Sequence, residues 1–61
     1  MQYSIFFRHN DETILRINNG PIPKVNETIV LNGCGYKVED IVYHYYHDRE
    51  DMDIEVRLEC L

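Results

Sequence analysis

The chain has 61 residues, 28% of them charged, with eleven acidic and six basic residues and a formal net charge of −5 at pH 7. This length allows one domain, residues 1–61, and a negative surface repels phosphate backbones and anionic membranes, which argues against both as partners. No run approaches the roughly 20 apolar residues of a membrane span, and the N-terminus lacks the features of a signal peptide. We therefore expect a cytoplasmic protein.

The small size limits the stability that the chain reaches by itself. A domain of this size buries only about 60% of the surface of its unfolded chain, so a disulfide, a metal or self-association usually helps. Cys34 and Cys60 could form one bridge, but two cysteines are not a disulfide framework. Because a cytoplasmic thiol is normally reduced, we expect free cysteines and a homodimer.

Two short apolar runs open the chain. Residues 2–8 and 13–17 are rich in β-forming side chains, and the polar residues 9–12 between them suit a hairpin loop. Side chains on a strand alternate between its two faces. The residues expected to face inward are Tyr3, Ile5, Phe7, Leu15 and Ile17.

The middle of the chain is divided by turn residues. Residues 18–21 end in Gly20 and Pro21, a strong turn signal, and Pro23 also excludes a central strand. A third strand is predicted over 25–31, followed by Asn32-Gly33, which favours a type I′ hairpin turn. The residues expected on the inner face of this strand are Val25, Ile29 and Leu31.

The last third predicts two longer strands, over 36–47 and 52–61, joined by a charged turn at 48–51. The final strand alternates apolar and charged residues at every position, which is typical of a strand with one buried face. Its predicted inner residues are Ile54, Val56, Leu58 and Cys60.

The fourth strand changes phase in its middle. Tyr36 and Val38 would next place Asp40 in the core, where an unpaired carboxylate is costly. A bulge at Glu39-Asp40 absorbs one residue and turns Ile41 and the tyrosines at 43 and 45 inward. Val42, His44 and Tyr46 then share the other face. The strand could instead end at 39–40 and a new one begin, or a short helical turn could lie there.

Five short strands with hairpin-length links predict an all-β fold. We expect a five-stranded antiparallel meander that forms a small SH3-like or OB-like barrel or remains a strongly twisted sheet. An open sheet would expose one face, which again favours a dimer.

Metal binding and catalysis find little support. His44 and His47 lie three residues apart, so they point to opposite faces of a strand, and no third ligand has the spacing of a zinc site. Cys34 in its glycine-flanked turn could be a reactive thiol, but no phosphate loop or nucleophile elbow accompanies it. We expect neither enzyme activity, nor a metal, nor a cofactor.

The aromatic fourth strand is the predicted binding surface. Tyrosine is enriched in protein interfaces because it combines a large apolar ring with a polar tip. The sequence favours a noncatalytic protein-binding module whose partner has a basic surface. The alternative is a barrel that binds a small ligand or single-stranded nucleic acid through its tyrosines. The candidate binding residues are Val42, Tyr43, His44, Tyr45, Tyr46 and His47.

The segment from Pro23 to Gly33, the run Tyr36-Lys37-Val38 and the alternating C-terminal strand resemble small uncharacterised β-barrel proteins of bacteriophages and mobile elements. In those proteins a Pro-x-Val-Gly-Asp/Glu-like strand, a glycine turn and a Tyr-x-Val strand recur. The likeness covers roughly residues 21–61, and Asn26 stands where the pattern has glycine. It implies an inhibitor or accessory protein that binds host components, and it assigns no functional residues.

Overall fold

The computed structural model describes residues 2–61, which form five β-strands. No helix capable of crossing a membrane occurs in that range. The strands are β1 (Tyr3–His9), β2 (Glu12–Asn18), β3 (Thr28–Leu31), β4 (Cys34–Tyr45) and β5 (Met52–Cys60). The all-β prediction and all five strands are confirmed, with shifted ends.

The turns between the first four strands contain residues with positive φ angles. The first hairpin turns on Asn10 and Asp11, with φ of 50° and 65°, and the second on Asn32 and Gly33, with φ of 52° and 81°. Positive φ at both central residues is characteristic of the type I′ turn, as predicted for the second hairpin. Asn26, with φ of 73°, delays the start of β3, which the sequence placed at residue 25.

The strand order corrects the predicted meander. The sheet runs β2-β1-β5-β4-β3, and β1 pairs with β5 in parallel, with Ile5 opposite Ile54. Strands β2 and β3 are the two edges and do not pair, so the sheet is a curled half-barrel of mixed direction. The path through β2, β3 and β4 supplies the long connection that a parallel pair requires.

The core lies on the concave face of the sheet and draws on its three central strands. Its six buried residues are Ile5, Phe7, Val38, Ile54, Val56 and Leu58. Alternation along β1 and β5 predicts five of these, and the inward phase at the start of β4 predicts Val38. Cys60, expected on the same face, is exposed at the end of β5.

A bulge in β2 changes the packing expected there. Phe7 pairs with Leu15 and Arg8 with Thr13, so Ile14 is the extra residue. Ile14 packs against the core, whereas Leu15 is 36% exposed. Leu15 lies opposite Phe7 and so faces the predicted side of the sheet, but its expected burial is wrong, because β2 is an edge strand and the bulge places Ile14 against the core. Val25, also expected inward, is 49% exposed in the turn before β3.

The predicted bulge in β4 is confirmed. Val38 pairs with Leu58 and Asp40 with Arg57, so Glu39 is the extra residue. Beyond it, Ile41 lies opposite the buried Val56. β4 therefore continues through residues 39–40 as one strand. The single extra residue exchanges the side chains that face the core with those on the other face.

Candidate functional site

Tyr43 and Tyr45 lie on the concave face of β4 but extend past the core. They pair with Ile54 and Met52, so the predicted facing is correct. The predicted burial of these two residues in the core is wrong, because Tyr43 is 44% exposed and Tyr45 is 76% exposed. β3 pairs only with residues 34–37 of β4, so it does not cover this end of the sheet. We call these two residues the tyrosine pair.

The rings of the tyrosine pair stack on each other. Their centroids are 6.4 Å apart and their planes differ by 21°. Offset stacking of this kind restricts the side chains, so Tyr43 and Tyr45 present a partly ordered aromatic surface to solvent. Ordered aromatic rings lose little entropy on binding, which favours them as protein contacts.

The opposite, convex face carries the other predicted binding residues. The Tyr46 hydroxyl donates to Asp53 Oδ2 at 2.8 Å, and His44 Nε2 lies 3.2 Å from Glu55 Oε1. The bond to Asp53 raises the pKa of the Tyr46 hydroxyl, because ionisation would lose the bond and place a phenolate beside a carboxylate. Val42 is half-buried and pairs with Glu55.

Glu55 is the centre of the charges on the convex face. Its Oε2 lies 3.8 Å from Arg8 Nε and 3.6 Å from Arg57 Nε, in addition to the contact with His44. A shallow cleft of about 290 Å³ lies here. It is lined by Phe6, Arg8, His44, Tyr46, Asp53 and Glu55. Since acid and base already neutralise each other, the cleft presents little free charge.

Residues 48–51 form the acidic turn between β4 and β5. Arg49 donates to both carboxylate oxygens of Asp51, at 2.8 and 2.7 Å, and its guanidinium stacks over the Tyr46 ring at 4.2 Å. The bonds from Arg49 hold the pKa of Asp51 below its usual value, chiefly by hydrogen bonding. Because the charges of Arg49 and Asp51 offset each other, Asp48 and Glu50 give the turn a net negative charge.

The structure thus divides the predicted site between two faces. The tyrosine pair lies on the concave face, His44 and Tyr46 lie on the convex face, and His47 is exposed in the turn after β4. Sequence reasoning missed Phe6 and Arg8, which the parallel pairing of β1 with β5 brings to the convex cleft. No local signal marks that pairing.

Cys34 begins β4 and Cys60 ends β5. No three metal-ligating side chains come together within residues 2–61. Cys34 and Cys60 are free and exposed. They flank Tyr36, whose pKa is raised by burial and, to a smaller extent, by the negative charge of the two sulfurs.

A second concavity, also missed from the sequence, lies on the concave face between the two edge strands. This groove holds about 350 Å³, and that size falls within the lower range of ligand pockets. Its lining is Phe7, Ile17, Pro21, Ile22, Pro23, Glu27, Ile29 and Leu31.

Comparison of the chain with protein-family models, curated proteins and solved structures finds no match.

Proposed function

We propose that the chain is a noncatalytic protein-binding module that contacts a basic partner surface through the tyrosine pair and the acidic turn. The observation that carries the proposal is the stacked, exposed rings of Tyr43 and Tyr45 beside that turn. An inhibitor or accessory role of the phage type, exerted by occupying a host protein, is its concrete form.

The charges of the molecule support a basic partner. The chain has a net charge of −5, and Asp48 and Glu50 make no ion pair among the described residues. Opposite potentials accelerate encounter and exclude partners of like charge. Aromatic anchors surrounded by charge are typical of interfaces in which a few residues supply most of the affinity.

The test is affinity capture from host extract followed by binding measurements with the captured protein. Tyr45→Ala is expected to weaken binding about tenfold or more, because an aromatic anchor commonly contributes 1–2 kcal/mol. Val30→Ala is the matched control, since Val30 is 68% exposed on β3, away from the pair. Equal affinity of the two variants would refute the assignment of the interface.

Self-association belongs to the same proposal. An exposed aromatic surface on a small domain also suits a homodimer. Sedimentation equilibrium of the unmodified chain and of Tyr45→Ala measures it, and a dimer that persists in the variant would place the dimer contact elsewhere on the molecule.

The groove between the edge strands favours a second candidate, a barrel that binds a small apolar ligand. Its lining is mostly apolar, with Glu27 as the only ionisable group among the lining residues. An environment-sensitive hydrophobic dye should then bind with defined stoichiometry and lose affinity in Ile22→Asp. The binding residues would be those of the groove rather than the tyrosines.

Single-stranded nucleic acid remains the weaker form of that alternative. Stacking platforms need a basic groove, whereas Arg8, Arg57 and Arg49 already face carboxylates. Titration with single-stranded DNA and RNA at low and physiological salt tests it. Tight, salt-sensitive binding would contradict the protein-binding proposal.

A further inference from the structure

One side of β4 has no neighbouring strand over half of its length. β3 pairs with residues 34–37 of β4, and the turn before β3 bonds to Val38 through Asn26 and Glu27. From residue 40 to residue 45, no strand within residues 2–61 lies on this side. We call residues 40–45 the open edge.

The hydrogen bonds of β5 show which backbone groups point to the open edge. Met52 N–H donates to Gln2 C=O at 3.2 Å, so the backbone of Met52 faces β1. Alternation gives Ile54 the same direction. Tyr43 and Tyr45, directly opposite these two residues, therefore form non-hydrogen-bonded pairs with them.

A second hydrogen bond gives the same result. Ile41 N–H donates to Asp40 Oδ1 at 2.9 Å, so this amide does not point to β5. Residues two apart on a strand share a direction. The N–H and C=O groups of Tyr43 and Tyr45 thus point to the open edge and have no partner within the described chain.

The open edge lacks the usual protection against strand pairing. Natural edge strands are shortened, bulged, or interrupted by lysine or proline. Here the bulge at Glu39 protects only one end, and residues 41–45 are all good β-formers or histidine, without lysine or proline. An extended peptide can add to such an edge through main-chain bonds.

Acidic residues lie at both ends of the open edge. Glu39 and Asp40 are at the bulge, and Asp48 and Glu50 are at the turn, while Arg49 is held by its neighbours. A second copy of the chain added antiparallel would set these acids against each other, which is destabilising. A basic segment would be attracted by the acidic residues at both ends of the open edge.

We propose that an extended, basic segment of a partner protein adds to the open edge as a sixth strand. Its backbone bonds to Tyr43 and Tyr45, and its side chains on the concave face pack against their rings. This inference rests on the proposed function and specifies how the partner binds.

The probe is a short synthetic peptide of alternating lysine and threonine, which is extended, soluble and basic. Amide hydrogen exchange is measured by NMR with and without it. Exchange at Tyr43 and Tyr45 is expected to slow about tenfold or more, as for an amide that gains a hydrogen bond. The amide of Val30, on the outer edge of β3 by the same alternation, should be unaffected.

Chemical synthesis provides a variant that changes only the backbone. N-methylation of Tyr43 removes its N–H and keeps its side chain, so peptide affinity should fall about tenfold. N-methylation of Val30 is the matched control and should leave affinity unchanged. Circular dichroism and urea midpoints verify that both chains fold, and the exchange measurement on the unmodified chain stands even if one does not.

Three results would overturn strand addition. They are absence of protection at Tyr43 and Tyr45, equal affinity for a glutamate-threonine peptide, and protection of the same amides by self-association without peptide. If N-methyl-Tyr43 binds the captured partner normally while Tyr45→Ala does not, strand addition fails and the proposed function stands. If neither change matters, the proposed function fails as well.

Discussion

Tyr46 shows how one side chain can link a strand, a turn and a neighbouring strand. Its hydroxyl bonds to Asp53 on β5, and its ring lies under the guanidinium of Arg49. Arg49 is in turn bound to Asp51. This network orders the acidic turn beside the tyrosine pair, and its bonds are local enough to be measured individually.

Asp53→Asn is expected to lower the pKa of Tyr46 toward the ordinary tyrosine value of about 10, because the amide removes the carboxylate that opposes ionisation. The pKa of Tyr46 is raised in the folded chain, so the stabilisation is present below the unfolded pKa and is lost as pH rises through the folded pKa. Ultraviolet absorbance titration of the tyrosines, compared with Tyr46→Phe, measures the shift.

Glu59→Gln is the control for this prediction, since it makes the same charge change at the other end of β5. It should leave the Tyr46 titration where it is. An equal shift in both variants would mean that net charge, rather than the bond to Asp53, controls the tyrosine.

At the scale of single elements, β4 depends on one inserted residue. Because successive side chains point to opposite faces, a shift of one residue exchanges the faces of everything beyond it. Glu39 provides that shift, and it directs Ile41 to the core and Tyr43 to the concave face. The binding surface proposed here therefore depends on the bulge.

Deletion of Glu39 is expected to destabilise the fold by about 2 kcal/mol or more, because either half of β4 must then leave its face. Glu39→Ala keeps the residue count, and its cost should stay within about 0.5 kcal/mol, as for other exposed positions. Urea denaturation compares the two. A deletion as mild as the substitution would show that the ladder re-registers at no cost.

The sequence predicted the elements better than their partners. The alternation of apolar and polar residues was sufficient to predict the strand β5, and the acid at position 40 was sufficient to predict the bulge in β4, since both effects are local. The bulge at Ile14 has no such marker, because Ile14 and Leu15 are equally apolar. For the candidate site, the sequence showed that residues 42–46 are rich in aromatic side chains. It could not predict that the tyrosine pair is exposed, because that depends on how far β3 extends along β4.

On the scale of the whole molecule, β5 joins two antiparallel hairpins. It pairs with β1 on one side and with β4 on the other, and it supplies Ile54, Val56 and Leu58 to the core. Neither hairpin alone encloses these residues. The stability of the domain should therefore be most sensitive to changes in β5.

Ile54→Ala is expected to cost about 2–5 kcal/mol, the range for truncating a buried isoleucine. A single core of this size rarely supplies more than about 3–5 kcal/mol in total, so the variant should be largely unfolded at room temperature. Val30→Ala, at an exposed edge, should unfold like the parent. Thermal circular dichroism of the three chains makes the comparison, and a cooperative transition near that of the parent in Ile54→Ala would contradict the central role of β5.

The amino-acid sequence by itself determined the strand content, the turns at Asn32-Gly33 and residues 48–51, the inner faces of β1 and β5, and the acidic charge. These follow from local backbone preferences and the period of two. Only the tertiary structure decided that β1 joins β5, that β2 and β3 become edges, and that 40–45 remains unpaired. Pairing between distant strands depends on which complete arrangement buries the most apolar surface, and no local pattern contains that comparison.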